Sequence, residues 1–154
     1  MKRKLQYAAV ILLVLLIAIQ FVHPALNRSA TAGPDDINVK HPVPPRVQAL
    51  LRRACYDCHS NNTNYPWYAA VQPVGWWLAK HVSDGRRHLD FSTFGTYTAK
   101  RAASKLSDVT NELEQHSMPL KSYTWMHPEA RLTPEEIKLI TDWADGLQDE
   151  LSPP

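Results

Sequence analysis

Cysteine is scarce in this chain: 154 residues contain two, at positions 55 and 58, and no second pair exists. A zinc site built on four thiolates is thereby excluded, and a mixed site would need histidines from elsewhere. A surplus of charge is also lacking. Lys and Arg outnumber Asp and Glu by 17 to 15, and three of those cations, Lys2, Arg3 and Lys4, stand at the extreme N-terminus. The remainder is close to neutral, and no basic patch points to nucleic acid. No segment alternates apolar and polar residues for long, so strands are not expected. At this length the chain suits one compact domain with a short appendage.

Long apolar runs are absent with one exception. Tyr7 to Val22 is interrupted only by Gln20, and it follows the Lys-Arg-Lys cluster. Charge followed by an apolar core is the pattern of a signal peptide or signal anchor. Extended from Leu5 to Val22, the run reaches the lower end of what spans a bilayer. Ala30-Thr31-Ala32 offers small residues for cleavage, but far from the apolar core, which favours an uncleaved anchor. The charges ahead of the span place the rest of the chain on the side away from the cytoplasm, the periplasmic face of a bacterial inner membrane. Residues 23–43 are polar, contain Gly33 and three prolines, and read as a flexible linker that lets a domain over 44–150 stand off the membrane.

The two cysteines belong to Cys55-Tyr56-Asp57-Cys58-His59. This is the attachment spacing of a c-type haem. Two thiols separated by two residues can form thioethers to the two vinyl groups on one porphyrin edge, and the following imidazole is placed to coordinate the iron. A thioredoxin-like dithiol would need a βαβ context, whereas a helical segment precedes this motif and an Asn-rich loop follows it. A disulfide between the two thiols would leave His59 without a role. Export and a covalent haem support each other, since such haems are attached outside the inner membrane.

The rest reads as helical. Pro44 and Pro45 open a helix with Val47, Leu50, Leu51 and Ala54 on one face, running into Cys55. A second helix is expected over 74–82, with Val74, Trp77, Leu78 and Val82 on one side and Gly85 as its stop. The stretch around Phe91 and Phe94 reads as irregular. A third helix, 98–115, turns Ala103, Leu106, Thr110 and Leu113 inward and Lys105, Asp108, Glu112 and Glu114 outward. Thr133, Pro134 and Glu136 form a capping box ahead of a last helix with Ile137, Ile140, Trp143 and Leu147 on its inner face.

The iron's sixth position separates electron transfer from small-molecule chemistry. The candidates are Met118, Met126, His41, His81, His88, His116 and His127. Met118 leads: it follows a helix, Pro119 stiffens its loop, and a thioether raises the potential into a carrier's range. Arg86, Arg87 and His88 read first as a solvated cluster, with pairing to haem propionates as the alternative. Some of Trp67, Tyr68, Trp76, Trp77, Trp125 and Trp143 are expected to cover the porphyrin.

Several motifs together resemble the bacterial haem-binding domain family of small c-type cytochrome-like proteins. They are Cys55-Tyr56-Asp57-Cys58-His59-Ser60-Asn61, Tyr65-Pro66-Trp67-Tyr68, Pro73-Val74-Gly75-Trp76-Trp77, Gly85-Arg86-Arg87-His88-Leu89-Asp90-Phe91-Ser92, Met118-Pro119 and His127-Pro128-Glu129-Ala130-Arg131-Leu132-Thr133. The resemblance covers roughly residues 40 to 147. It implies a cytochrome c-like all-α fold, one covalent haem c at Cys55 and Cys58, and His59 as proximal ligand. Family members often carry Met-Pro-Pro where this chain has Met118-Pro119-Leu120, so a looser loop is expected there. The resulting expectation is a membrane-anchored periplasmic monohaem cytochrome, an electron carrier rather than an enzyme, serving redox partner proteins of the cell envelope. Its competitor is a haem-based sensor or small peroxidase-like enzyme with an open sixth site.

Overall fold

The computed structural model describes residues 1–29 and 32–152, and all regular structure among them is helical. The helices are α1 (Lys2–Ile19), α2 (Ile37–Lys40), α3 (Pro45–Ala54), α4 (Tyr56–His59), α5 (Val74–His88), α6 (Ala99–Glu114), α7 (Lys121–Met126) and α8 (Pro134–Leu151). Short 3₁₀ turns occupy Trp67–Ala70, Phe91–Thr96 and Pro128–Ala130.

The core forms where α3, α6 and α8 meet. Val47, Leu50, Leu51 and Ala54 recur at helical spacing on α3 and are all buried. Val47, Leu50 and Leu51 pack with Leu106 and Leu113 of α6 and with Ile140, Ala144 and Leu147 of α8. Each fully buried Leu or Ile contributes about 1.5–3 kcal/mol. Thr133 caps α8 as expected, its hydroxyl accepting from the Glu136 N–H while the Glu136 carboxylate accepts from the Thr133 N–H. Glu136 also accepts from Arg53 at 2.7 Å, which ties α8 to the helix that leads into the cysteine motif.

Phe91 and Phe94, expected in an irregular stretch, are among the most deeply buried side chains. The 3₁₀ geometry turns both rings inward, and Asp90 fixes the turn by accepting from the Ser92 N–H at 2.9 Å.

Three expectations are corrected. The stretch 23–43 is not a free tether where it is described. Ile37 is fully buried in the core, and the Asn27 side-chain amide donates to the Ser60 carbonyl at 2.8 Å. One buried apolar residue on a single helical turn leaves no periodicity to read. The candidate cleavage site falls mostly on residues 30 and 31, outside the described residues. The expected span is shorter than read: α1 stops at Ile19, and its uncharged part, 5–19, is about 22 Å long against a hydrocarbon thickness of about 30 Å. Among the described residues, no helix is long and apolar enough to cross a membrane.

The third correction is Gly85, which does not end α5; the helix continues to His88. A Cβ at this position would lie 2.6 Å from the Cys58 carbonyl oxygen. Glycine is there so that α5 can lie against the backbone of the cysteine motif.

The end of α6 aims the next loop. His116 adopts φ 53°, its N–H donates to the Leu113 carbonyl, and the Ser117 N–H donates to the Glu112 carbonyl at 2.9 Å. This is a Schellman termination with histidine where glycine is usual. Left-handed backbone costs a non-glycine residue about 1 kcal/mol or more. Since the His116 side chain is exposed, His116→Gly is expected to raise the melting temperature by about 2–4 °C. An unchanged or lower melting temperature in a thermal scan would refute that account.

Candidate haem site

The cysteine motif begins where α3 ends. Cys55 closes that helix with its N–H on the Leu51 carbonyl at 2.8 Å, and α4 then carries Cys58 and His59 round one turn. Both cysteines are free and half-buried. Burial pushes the Cys55 thiol up to about 12 and the Cys58 thiol to about 11. At neutral pH both are thiols, the opposite of the lowered pKa that a redox-active dithiol requires. Among the described residues, no three side chains of His, Cys, Asp or Glu come together as a metal-ion site.

His59 is the more decisive group. Its Nδ1 lies 2.9 Å from the Leu89 carbonyl oxygen, which can only accept. The proton is therefore on Nδ1, and Nε2 keeps its lone pair for a ligand. Burial lowers the imidazole's pKa, so the neutral, ligating form prevails at neutral pH. Phe91 packs edge-on against the ring, with centroids 6.5 Å apart.

Cys55, Cys58, His59 and Met118 all line one cavity of about 450 Å³. That volume falls within the range of small-molecule and cofactor pockets. α4 supplies one wall, α5 another through His81, Gly85 and His88, and α6 a third through Lys105, Val109 and Leu113. The loop after α6 closes it with Met118, Pro119 and Leu120.

The other candidate ligands sort themselves by place. His81 and His88 line the cavity; His41, His116, Met126 and His127 do not. His127 is held by Tyr68 Oη at 2.8 Å on Nε2 and lies 3.2 Å from Glu129 on Nδ1. His41 packs edge-on against Phe94, and Met126 is exposed.

Arg86 and Arg87 lie in an ion-paired cluster outside this cavity, and the expectation for covering aromatics is corrected. Arg86 bonds Asp90 and Asn61, Arg87 bonds Asp84, and both line a different, more open groove on another face of α5. The cavity's cation is Lys105, read from the sequence as pointing outward. It sits 2.8 Å from Asp108, also on the cavity wall. The available signal was Val109, an apolar residue that interrupts the charged stripe of α6. None of the tryptophans reaches the cavity; its aromatic lining is Phe91 and Tyr123.

Sequence reasoning also passed over Asp57, between the cysteines. Its carboxylate accepts from Tyr123 Oη at 2.7 Å and from the Asn64 N–H at 2.9 Å. Burial and this bond raise the Tyr123 pKa, so the phenol stays protonated and donates. One carboxylate thus fastens α7 and the following loop to the motif.

The family model for the haem-binding domain matches residues 14–146. The chain belongs to the haem-binding domain family. No curated protein and no solved structure matched it. The donor set of this haem-binding domain fits the group: protonated thiols at attachment spacing, an imidazole with a free Nε2, and an apolar-walled cavity that also receives a thioether.

Proposed function

We propose that this haem-binding protein is a monohaem c-type cytochrome of the bacterial cell envelope, passing single electrons between redox partner proteins. The observation that carries the reading is the convergence of Cys55, Cys58, His59 and Met118 on one cavity. Haem, when bound, supplies the one-electron redox couple. Cys55 and Cys58 would hold it as thioethers, and His59 Nε2 and Met118 Sδ would ligate the iron. Lys105 is the cavity's donor for a carboxylate, and Phe91 and Leu113 exclude water. A Met118 thioether on the iron would raise the potential and favour carrier function over catalysis.

The Lys-Arg-Lys cluster ahead of an apolar stretch supports export to the periplasm. The exposed apolar surface of α1 supports attachment to the inner membrane, with α1 entering the bilayer.

The first test is a pyridine haemochrome assay on protein expressed with haem-attachment machinery. One haem per chain, retained after denaturation and lost in Cys55→Ser with Cys58→Ser, is the expected result. Protein that carries no covalent haem would end the cytochrome reading. The second reading is a sensor or peroxidase-like enzyme with a displaceable sixth ligand, and His81 and His88 on the cavity wall favour it. High-spin iron that binds carbon monoxide rapidly would select it over the carrier.

A further inference from the structure

The apolar helix α1 buries none of its residues: Leu5, Val10, Leu13 and Ile17 are all more than half exposed. Its far end is nevertheless fastened to the domain. The Gln20 side-chain amide donates to the Gln72 carbonyl at 3.0 Å, and the Gln72 N–H donates back to Gln20 Oε1 at 2.9 Å. Just beyond, Trp76 Nε1–H donates to the Val22 carbonyl at 2.8 Å. Gln72 itself is buried.

The segment that receives α1 is itself apolar and exposed. Trp67 is 81% exposed, Trp77 48%, Val71 45%, Val74 38% and Trp76 37%. Of the stripe Val74, Trp77, Leu78 and Val82, expected on one side of a helix, only Val82 is buried. Residues 60–79 contain no Asp, Glu, Lys, Arg or His. A patch of this kind marks an interaction surface. The absence of charge argues against docking to a complementary charged protein. Tryptophan with a wet indole N–H and an apolar body suits the headgroup layer of a bilayer. The fastening of α1 beside the patch puts both in one medium.

We propose that residues 67–77 form a platform that rests in the bilayer interface beside α1, holding the haem-binding domain in one orientation on the membrane. The proposal rests on the reading that α1 enters the bilayer. It places the cavity near the lipid: Trp77 packs on His81, with centroids 4.1 Å apart, and His81 lines the cavity. The electron donor or acceptor this orientation serves is then one that works at the membrane surface.

The test uses the full-length, haem-loaded chain in vesicles of phosphatidylethanolamine and phosphatidylglycerol doped with a phospholipid bearing a diazirine next to the headgroup. After photolysis, peptide mapping is expected to find lipid adducts on α1 and on 67–77, with α8 labelled several-fold less. In the double variant Trp67→Ser, Trp77→Ser, adducts at 67–77 should fall several-fold while those on α1 persist. Labelling of α1 with 67–77 no higher than α8 overturns the platform and leaves the membrane reading standing. No labelling of either overturns both. A dimer of the same chain in detergent by size-exclusion chromatography, with 67–77 unlabelled by lipid in the vesicles, would assign the patch to a second copy and also overturn the proposal. The wild-type map decides these outcomes even if the double variant does not fold.

Discussion

Gly85→Ala is expected to destabilise the protein by about 2 kcal/mol and to cut the yield of attached haem sharply. The direction is not obvious, because Gly85 lies inside α5, where alanine gains about 1 kcal/mol in helix propensity. The neighbour decides it. An added Cβ would meet the Cys58 carbonyl oxygen at 2.6 Å and the Cys58 carbonyl carbon and Cβ at 3.2 Å. Two of those atoms are backbone, so no rotamer change relieves the contact; either α5 or the α4 turn must move. Movement of α4 displaces Cys58, and movement of α5 displaces the Gly85 carbonyl together with Leu89, whose N–H donates to it at 2.9 Å. Leu89 carries the carbonyl that sets the His59 tautomer, so the damage passes from packing to the ligand. Gly146→Ala is the control: it lies in α8 with nothing within 4 Å of the added carbon, and propensity alone should make it stabilising by about 0.5–1 kcal/mol. Chemical denaturation and haem content per chain measure both. A Gly85→Ala protein as stable as the parent and fully loaded would show that the approach of α5 to α4 is not tight.

Gly85 also shows why part of this molecule was legible in the sequence and part was not. Where the determinant is local, sequence reasoning placed it: the Thr133–Glu136 box starts α8, Pro45 starts α3, and the apolar spacing of α3 gives its buried face. The cysteine motif is local as well, and its thiols and imidazole share one cavity. Where the determinant is tertiary, local rules misled. Glycine near a helix end reads as a stop, but here it answers to a backbone packed across from it. Charges on α6 read as a solvated face, but Lys105 and Asp108 border the cavity. Val74 and Trp77 have core spacing on α5 yet remain exposed, because the 3₁₀ turn at Trp67–Ala70 and the end of α1 occupy the neighbouring surface with hydrogen bonds rather than apolar cover.

The second large effect concerns Met118. The Schellman end of α6 fixes where its backbone begins, since the Met118 N–H and the Ser117 N–H both donate to the Glu112 carbonyl. The side chain reaches the cavity wall from a loop whose other members, Pro119 and Leu120, also line it. Met118→Ala is expected to remove the thioether signature from the spectrum of the loaded protein. It should also lower the reduction potential by a sizeable share of the roughly 0.8 V that axial ligation commands. Met118→His should keep the iron low-spin while lowering the potential, because an imidazole stabilises the oxidised state more than a thioether does. His81 is the competitor, with Nδ1 committed to the Trp77 carbonyl at 2.9 Å and Nε2 left free. If Met118 is the ligand, His81→Ala leaves spectrum and potential near those of the parent. If His81→Ala changes the spectrum and Met118→Ala does not, the sixth ligand comes from α5, and the methionine only packs against the pocket.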